Sequence, residues 1–489
     1  MNKNLSFLLI GMAAISFGCT MTPKYTRPTP QVPAEWPTGA AYAALPMTTN
    51  LPSSSQQNWR EFFTDEKLRQ VIAMALTNNL DLQVAALNVQ RAQGLYGIQR
   101  ATLLPSVNAN AAGNIQQFPA DLSNSGNRQT TKRYDVNFGV VSWEIDFFGR
   151  IRSLKDEALH NYMATEQARR SAQILLVSSV ANTYLALAAD RETLTLAQTT
   201  FAAQQSTYSM IKRRHDLGLA TELDLQRAQT QVDSALGDVA RFTQLVAQNE
   251  NALNLLVGSQ SPIALLPMEL AGISPMKDIS AGVSSEILLR RPDVRQAEDL
   301  LKAANADIGA ARAAFFPRIS LTAAIGTASS DLSGLFKSGS SAWNYAPQIV
   351  MPIFDARTWS AHRVAKVQRE IAVAQYERVI QSAFKDVADA LAVIGTVGQQ
   401  VAAQQSLVHA VSETYRLSNS RYDKGIDSYL SVLDAQRSLY AAQQGLVSLQ
   451  LAKLANQVTL YAVLGGGWQN EPAGWRNSRA DSQQSQSPN

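Results

Sequence analysis

The sequence predicts a mainly α-helical protein built from two duplicated halves, each of which also contributes a pair of β-strands. Three observations predict this fold class. One stretch recurs in the second half of the chain, a coiled-coil pattern follows each copy, and apolar and polar residues alternate in four short stretches outside the helices. A repeat period this long indicates a duplicated half-domain, not a short solenoid unit.

The repeated stretch runs from Arg214 to Gly258 and lies without a gap on Arg421 to Gly465, an offset of 207 positions (421 − 214 = 207). Each copy has the pattern of a helix end, a Gly-centred turn and the start of a long helix. Identical residues in the two copies include Arg214 and Arg421, Asp216 and Asp423, Gly218 and Gly425, Leu223 and Leu430, Ala228 and Ala435, and Gln229 and Gln436.

The helix after each turn carries the alternating 3/4 spacing of apolar residues that is typical of a coiled coil. The residues on this seam are Ala228, Val232, Ala235, Val239, Phe242 and Val246 in the first copy, and Ala435, Leu439, Ala442, Leu446 and Leu449 in the second. An ordinary amphipathic helix would explain one copy alone. Two copies in the same register favour a long, pseudo-symmetric helical assembly.

Composition excludes several classes of protein. The chain has 489 residues, a charged fraction of 17% and a net charge of +4, so nothing favours nucleic-acid binding. Cys19 is the one cysteine, which excludes an internal disulfide and a multi-cysteine metal site. The four histidines, His160, His215, His362 and His409, lack metal-ligand spacing.

The N-terminus has the pattern of a secreted lipoprotein. Residues 1–18 combine one charged side chain, Lys3, with a mostly apolar run that is too short to span a membrane, which predicts a signal peptide. Ser16-Phe17-Gly18-Cys19 resembles a bacterial lipobox, so we expect lipid on Cys19; a plain signal peptide with an incidental cysteine is the alternative. The absence of Asp after Cys19, where Thr20 stands, fits outer-membrane retention by resemblance to lipoprotein sorting.

Three segments lack the helix pattern. Residues 19–55 hold seven of the 18 prolines and predict an extended arm. Residues 261–286 hold three more prolines and predict a linker between the halves. Residues 469–489 are polar and predict a disordered tail.

The first repeat covers residues 56–260. We expect a helix from Asp65 to Leu103 and, after two strands, a long helix from Arg150 to about His215. The turn at Gly218 then reverses the chain into a second long helix that ends near Gly258.

The second repeat covers residues 287–468 and follows the same plan. We expect a helix from Leu288 to Ala314, two strands, and long helices on both sides of the turn at Gly425. The junction between helix and strand is also duplicated, because RATLLPSVNANAA from Arg100 aligns with RAAFFPRISLTAA from Arg312.

Period-2 alternation predicts four strands of about ten residues each. The apolar positions are Val107, Ala109 and Ala111; Tyr134, Val136, Phe138 and Val140; Ile319, Leu321, Ala323 and Ile325; and Trp343, Tyr345, Pro347 and Ile349. Pro347 weakens the last prediction, because proline cannot donate to a ladder. This pattern fits either membrane-crossing barrel strands or a small soluble sheet. Four strands cannot close a barrel, so in a membrane several chains must share one.

No segment after the signal peptide has the pattern of a transmembrane helix. The closest is Ser171 to Ala189, which is uncharged but contains Gln173, Ser178, Ser179, Asn182 and Thr183, so we expect a buried helix.

Several motifs resemble the outer-membrane efflux lipoproteins of the TolC superfamily, the OprM-like channels. They are RRPDVRQAEDLLKAANADIGAARAAFFPRISL from Arg290, RYDKGIDSYLSVLDAQRSLYAAQ from Arg421, and the strand-to-helix passage WEIDFFGR from Trp143. The resemblance covers nearly the whole mature chain. It implies a homotrimer, with three chains of four strands forming a 12-stranded barrel and the helices forming a periplasmic α-barrel.

The resemblance also implies function: a passive export conduit in the outer membrane of a Gram-negative bacterium. A periplasmic adaptor protein and an inner-membrane pump of the resistance-nodulation-division (RND) type would be its partners. The chain has no Gly-rich phosphate-binding loop with which to spend nucleotide energy itself. No cofactor is expected besides the covalent lipid on Cys19.

The same resemblance implies a gate at the two turns. Leu430 and Asp434 match positions that face the pore and form the constriction, where a ring of three carboxylates would favour cations. Arg421, Tyr422 and Asp224 match positions that hold the helices shut through hydrogen bonds and salt bridges. Two further carboxylates, Asp427 and Glu222, lie close by in the sequence and are weaker candidates for the same gate.

Two other classes of function remain as alternatives. An enzyme would have to use one of two Ser-x-x-Lys patterns, Ser209 to Lys212 or Ser382 to Lys385, but both lie inside predicted helices without companion motifs. A lipid-anchored periplasmic coiled-coil scaffold or adaptor would explain the helices and Cys19, but not two strand pairs.

Overall fold

The structure is a computed structural model that describes residues 20–29, 31–42, 58–123, 126–277 and 285–466. Residues 1–18, Cys19 and the tail 469–489 lie outside the described residues, so the predictions made for them are not addressed. The chain divides into two compact units. We call residues 1–29, 88–166 and 296–377 the sheet unit, and residues 30–87, 167–295 and 378–489 the turn unit.

Long helices dominate the described chain, and four strands form one sheet. The helices are α1 (Trp59–Phe62), α2 (Glu66–Asn78), α3 (Leu80–Ala101), α4 (Arg150–Asp216), α5 (Glu222–Val257), α6 (Pro292–Ala313), α7 (Ala356–Asp423) and α8 (Tyr429–Val463). The strands are β1 (Val107–Phe118), β2 (Gln129–Ile145), β3 (Arg318–Ser329) and β4 (Ser341–Val350). Short 3₁₀ turns occur between them.

Two predicted helix bounds were wrong. The helix expected from Asp65 to Leu103 is broken at Asn79, whose backbone is extended and whose Oδ1 accepts from the Leu82 N–H at 2.9 Å. Asparagine at a helix start caps it in this way, so one helix becomes two. The helix expected from Leu288 begins at Pro292, because proline suits the first helical turn, and a 3₁₀ turn precedes it.

The two longest helices are α4, with 67 residues, and α7, with 68. One window of α4 is long and apolar enough to cross a membrane, but 56% of that window is buried inside the protein. Burial favours a core helix over a membrane span, as expected for Ser171 to Ala189.

The sheet confirms the predicted alternation. Its strand order is β1-β2-β3-β4, all antiparallel, so the strand pairs of both repeats lie side by side. Directly paired residues share a face. The predicted apolar positions pair with one another across all four strands, as in the row Ala109, Phe138, Ile325 and Trp343. Pro347 lies in β4 opposite Leu321, on a strand that pairs on one side only in the described chain.

A bulge in β2 keeps this apolar face continuous. The pairing with β3 shifts between Val140 and Trp143, where Ser142 has a φ of +51° and its N–H bonds to the Thr322 hydroxyl at 3.0 Å. The extra residue returns Trp143 and Ile145 to the side of Val140.

The passage from β2 into α4 is held by ionic contacts. Glu144 accepts two hydrogen bonds from Arg150, each at 2.8 Å, and lies 3.2 Å from Arg318 at the start of β3. Asp146 accepts from the backbone N–H of Arg152 at 2.9 Å, which caps the first turn of α4. The WEIDFFGR segment therefore fixes where the sheet ends and the helix begins.

The first part of the arm is docked within the sheet unit. The buried carboxylate of Glu298 on α6 accepts hydrogen bonds from Arg27 at 2.7, 2.9 and 3.0 Å and lies 3.3 Å from the Tyr25 hydroxyl and from Lys302. Gly309 permits close approach, because a Cβ there would lie 2.2 Å from the Thr22 hydroxyl.

The later part of the arm packs separately within the turn unit. Trp36 stacks on Phe384 of α7, with ring centroids 5.2 Å apart. The main core of the turn unit packs α1 and α2 against α4, α5 and α8. Within it Phe62 stacks on Tyr461 of α8, with ring centroids 4.2 Å apart.

Candidate functional site at the two helical turns

The two Gly-centred turns have the same backbone geometry. Gly218 and Gly425 have φ values of +74° and +71°, in the left-handed region that glycine adopts without strain. Leu219 N–H bonds to Arg214 O at 2.7 Å, and Ile426 N–H bonds to Arg421 O at 2.9 Å, the equivalent bond after the 207-position offset. Both helices therefore end in a Schellman-type cap.

The start of the following helix differs between the copies. The Thr221 hydroxyl accepts from the Asp224 N–H at 3.1 Å and donates to the Asp224 carboxylate at 2.7 Å, so this side chain caps α5. Arg227 lies 3.9 Å from the same carboxylate. In the second copy Ser428 provides no side-chain cap for α8. Asp224, expected to hold the helices shut, thus contacts its own turn.

The second turn is bridged by an ion pair instead. Arg421 donates to Asp427 from Nε at 2.6 Å and from Nη2 at 3.1 Å. The hydrogen bond from Arg421 lowers the pKa of the Asp427 carboxyl below its usual range, and the same bond raises the pKa of Arg421. Asp427, one of the two weaker candidates in the sequence, is the partner of Arg421 in the structure.

The two turns pack against each other through aromatic side chains. Tyr422 lies 5.4 Å from Tyr429, ring centroid to centroid, and its hydroxyl lies 3.2 Å from Nη1 of Arg214 on the other turn. Burial raises the pKa of Tyr429. The residues of this cluster are Ile211, Ala228, Tyr429, Val432 and Leu433, with Tyr208, Ala220, Leu225, Tyr415 and Tyr422 around them.

His215 and Glu222 form a contact that the sequence interpretation missed. His215 Nε2 lies 3.1 Å from a Glu222 carboxylate oxygen, and Nδ1 lies 3.7 Å from Asp216. The signal was present in the repeat, because the 207-position offset places His215 on Tyr422 and Glu222 on Tyr429. The tilted pair of tyrosines in one turn is replaced in the other by a contact between an imidazole and a carboxylate.

Leu430 and Asp434 lie one turn apart on α8, and both side chains are exposed. Their counterparts on α5 are Leu223, which is also exposed, and Arg227. Among the described residues, none makes a salt bridge with the Asp434 carboxylate. α8 therefore exposes an apolar side chain one helical turn away from a carboxylate.

Enzymatic or metal chemistry receives no support from the described residues. The Ser209 hydroxyl donates to a backbone carbonyl of its own helix, that of Gln205, and Lys385 pairs with Asp389. The described part of the chain contains no group of three or more His, Cys, Asp or Glu side chains that could hold a metal ion.

Comparison with known protein families also divides the chain into two copies. The family described as outer membrane efflux protein matches residues 71–259 and 283–466, which is most of the chain in two segments. The chain belongs to this outer membrane efflux protein family. It is 44% identical over 482 residues to the probable efflux pump outer membrane protein TtgC of Pseudomonas putida, covering 98% of this chain and 99% of that protein. It is 39% identical over 468 residues to outer membrane protein OprJ of Pseudomonas aeruginosa, covering 95% and 96%.

Solved structures of efflux channels share the fold. A membrane protein from Pseudomonas aeruginosa superimposes with a TM-score of 0.86 at 37% identity, covering 93% of this chain and 99% of that one. The MtrE channel of Neisseria gonorrhoeae, in its open state, gives 0.82 at 36% identity, covering 92% and 99%. These neighbours are trimeric TolC-family channels of the outer membrane.

Family membership confirms the predicted class of fold and function. The efflux protein is an outer-membrane channel component of a tripartite efflux system, a transport conduit and not an enzyme. It functions in the outer membrane of Gram-negative bacteria. The family match over both halves favours the channel over the alternative of a periplasmic scaffold or adaptor.

Proposed function

We propose that three copies of this efflux protein share one β-barrel and one helical tunnel, which form a passive conduit from the periplasm to the exterior. The gate of this conduit lies at the turns around Gly218 and Gly425. A periplasmic adaptor joins the conduit to an RND-type pump in the inner membrane, and lipid on Cys19 adds an anchor to the outer membrane.

The sheet carries this proposal. Every strand has an exposed apolar side chain on this face: Val107 at 68%, Phe138 at 60%, Ile325 at 66% and Trp343 at 76%. In water such a face would be costly, at about 25 cal/mol per Å² of apolar surface, whereas lipid accepts it.

The strand edges require several copies to share one barrel, and the trimeric neighbours supply the number three. Within the described chain β1 and β4 each pair on one side, which leaves two open edges. An open edge in lipid leaves backbone groups without partners and is not viable. Pairing β4 of one chain with β1 of the next removes both edges, and three chains give 12 strands, enough to close a barrel.

The gate proposal rests on the turn unit. Both turns end long helices in the same geometry, they pack on one another through Tyr422 and Tyr429, and α8 exposes Leu430 beside Asp434. Threefold symmetry would make a ring of each exposed residue. Three carboxylates in a ring attract cations and repel one another, so the charge at Asp434 acts both on ion selectivity and on opening.

The class of cargo is not contained in the channel sequence. Two relatives at the same 44% identity are named for different cargoes, one as an antibiotic efflux pump protein and one as a toluene efflux pump protein. We therefore assign the choice of cargo to the inner-membrane pump and the adaptor, and passive conduction to this protein.

The deciding experiment is the native mass of the full-length protein, extracted from outer membranes in mild detergent. We expect three chains, each carrying lipid on Cys19, and ion conductance after reconstitution in planar bilayers. Cys19→Ser is the matched control, which should lose the lipid mass and keep the trimer. A monomer without conductance would contradict the shared barrel, and a trimer without lipid would contradict the anchor alone.

A further inference from the structure

A group of basic side chains lies at the end of the sheet where the strands join the helices. Arg312 is in the last turn of α6, just before β3 begins, and His362 and Lys366 are in the first part of α7. We call these three residues the basic cluster. Burial, and then the charges of Lys366 and Arg312, lower the pKa of His362, so both cations lie within electrostatic reach of the imidazole.

The described chain provides no carboxylate that neutralises the basic cluster. Neither Arg312 nor Lys366 forms a salt bridge within the described residues. Asp355, immediately before the start of α7, is bound by Arg357 at 3.0 Å. Nδ1 of His362 is enclosed and has no hydrogen-bond partner among the residues that the structure describes. Cations that are held close together repel one another, so an anion bound among them is favoured.

Aromatic side chains adjoin the basic cluster on the same two helices. Phe315 of α6 packs edge-on against Trp359, with ring centroids 5.0 Å apart, and against His362 at 5.8 Å. Trp359, His362 and Lys366 follow one another at spacings of three and four, so they share one face of α7. Trp359 is 69% exposed. Exposed tryptophan beside cations is typical of the boundary between lipid and water.

The membrane position proposed above, on which this inference rests, places the basic cluster at the periplasmic boundary of the outer membrane. The apolar face of the sheet extends down to the paired residues Ile145, Ile319 and Ile349, and the helices begin a few residues later. His362 and Lys366 are six and ten residues past the start of α7, about 9 and 15 Å along its axis. Side chains on a helix lean toward its N-terminus, which here is the membrane side, so both reach toward the lipid headgroups.

The N-terminal arm begins beside the same cluster. The carbonyl oxygen of Met21 accepts from Nη1 of Arg312 at 3.5 Å, and the Thr22 hydroxyl lies 3.0 Å from the Ser153 hydroxyl. Met21 is two residues after Cys19, so the acyl chains expected on Cys19 would enter the membrane nearby. Those chains carry no negative charge, and the cations of the cluster need an anion from another molecule.

We propose that Arg312, His362 and Lys366 bind the phosphate group of an anionic phospholipid in the inner leaflet of the outer membrane, one lipid for each subunit. A guanidinium and an ammonium donate charge-assisted hydrogen bonds to the two anionic oxygens of a phosphodiester. Trp359 and Phe315 contact the glycerol and the acyl chains. Inorganic phosphate offers the same charge without the chains, so these aromatic contacts favour a lipid over the free ion.

Lipid titration of the full-length trimer, purified in a maltoside detergent, tests the site. Native mass spectrometry counts the bound lipids, and thermal unfolding is followed as dioleoylphosphatidylglycerol or dioleoylphosphatidylcholine is added. We expect three phosphatidylglycerol molecules per trimer and a higher Tm, because a ligand of the folded state stabilises it. Arg312→Gln with Lys366→Gln should need about tenfold more phosphatidylglycerol for the same effect. Lys212→Gln with Lys424→Gln, which removes the same charge from exposed lysines of the turn unit, should behave as the wild type.

The single variant Lys366→Gln leaves the contact between Arg312 and the arm intact, so it tests the site even if the double variant fails to assemble. Equal phosphatidylglycerol binding by the wild type and this variant would overturn the proposal. Inorganic phosphate that raises the Tm as much as phosphatidylglycerol would also overturn it and assign the cluster to the free ion. A conducting trimer that binds neither would mean that a neighbouring subunit neutralises the cluster, so the lipid site fails and the channel stands. A protein with the mass of one chain would contradict the channel proposal itself.

Discussion

Arg421 and Asp427 are joined by two hydrogen bonds across the second turn, at 2.6 and 3.1 Å, whereas Asp224 is bound to Thr221 in its own helix cap. The arginine thus acts first on the shape of its own turn. Asp427 lies two residues before α8 begins at Tyr429, so the pair acts on the turn that leads into the helix of Leu430 and Asp434.

Replacing Arg421 with Ala should give a leakier channel. The substitution removes both hydrogen bonds to Asp427 and, with them, the constraint on the turn. The pair is exposed, so we expect an effect on opening frequency with little change in thermal stability. Single-channel recordings in planar bilayers measure this, and Lys424→Ala, an exposed cation on the same turn, is the control. Unchanged opening in the Arg421 variant would show that the pair does not restrain the gate.

The same pair predicts a pH dependence. Arg421 lowers the pKa of Asp427. The ion pair therefore stabilises the turn above the usual carboxyl range of roughly 4, and this stabilisation is lost as the pH falls through the lowered pKa. We expect the opening frequency of the wild-type channel to rise as the pH is lowered. Asp427→Asn should already open more often at pH 7 and should respond less to acid. An identical acid response in both proteins would assign the titration to another group.

Asp434→Ala should reduce the cation selectivity of the channel. Removing three carboxylates from one ring makes the electrostatic potential in the constriction less negative. Cations are then attracted to the constriction less strongly. Reversal potentials under a salt gradient measure the selectivity. Asp423→Ala, which removes an exposed carboxylate at the end of α7, is the matched control and should leave the reversal potential unchanged. Equal shifts from both variants would argue against a ring at Asp434.

Regular backbone features were predictable because they leave periodic or position-specific marks in the sequence. The turns at Gly218 and Gly425 need a left-handed residue, and the strands need period-2 alternation, so both were found. The family resemblance to efflux channels is confirmed and accounts for most of the fold.

Side-chain partners at the turns were not predictable in the same way. Whether Arg421 reaches Asp427, six residues along the chain, or Asp224, on the other turn, depends on which atoms the fold brings within hydrogen-bond distance. The bulge at Ser142 was missed because a serine with positive φ has no sequence signature. The contact between His215 and Glu222 could have been found by comparing the two repeats position by position.

Glu298→Gln should release the first part of the arm. The buried carboxylate, with 7% of its side chain exposed, binds Arg27 through three short contacts, so a neutral amide loses the charge-assisted bonds at a cost of about 2 kcal/mol. Trypsin cleavage after Lys24 should then be about 30-fold faster, because cleavage follows the opened population. The control, Glu35→Gln, changes an exposed carboxylate elsewhere on the arm. Equal cleavage of the wild type and the Glu298 variant would mean that this ion pair does not hold the arm.

Glu157→Gln should stabilise the protein at neutral pH. Burial raises the pKa of Glu157, and the nearby carboxylate of Asp307, whose own pKa is raised by burial, raises it further. A carboxyl with a raised pKa in the folded state opposes folding when it is ionised, and this penalty disappears as the pH falls through the raised value. The gain at pH 7 should be about 0.5 kcal/mol, the scale of a partly solvated charge contact. Thermal unfolding at pH 7 and at pH 4 checks it, and the advantage of the variant should shrink at pH 4. A loss of stability at pH 7 would instead mean that, in the assembled channel, a cation from a neighbouring subunit pairs with Glu157.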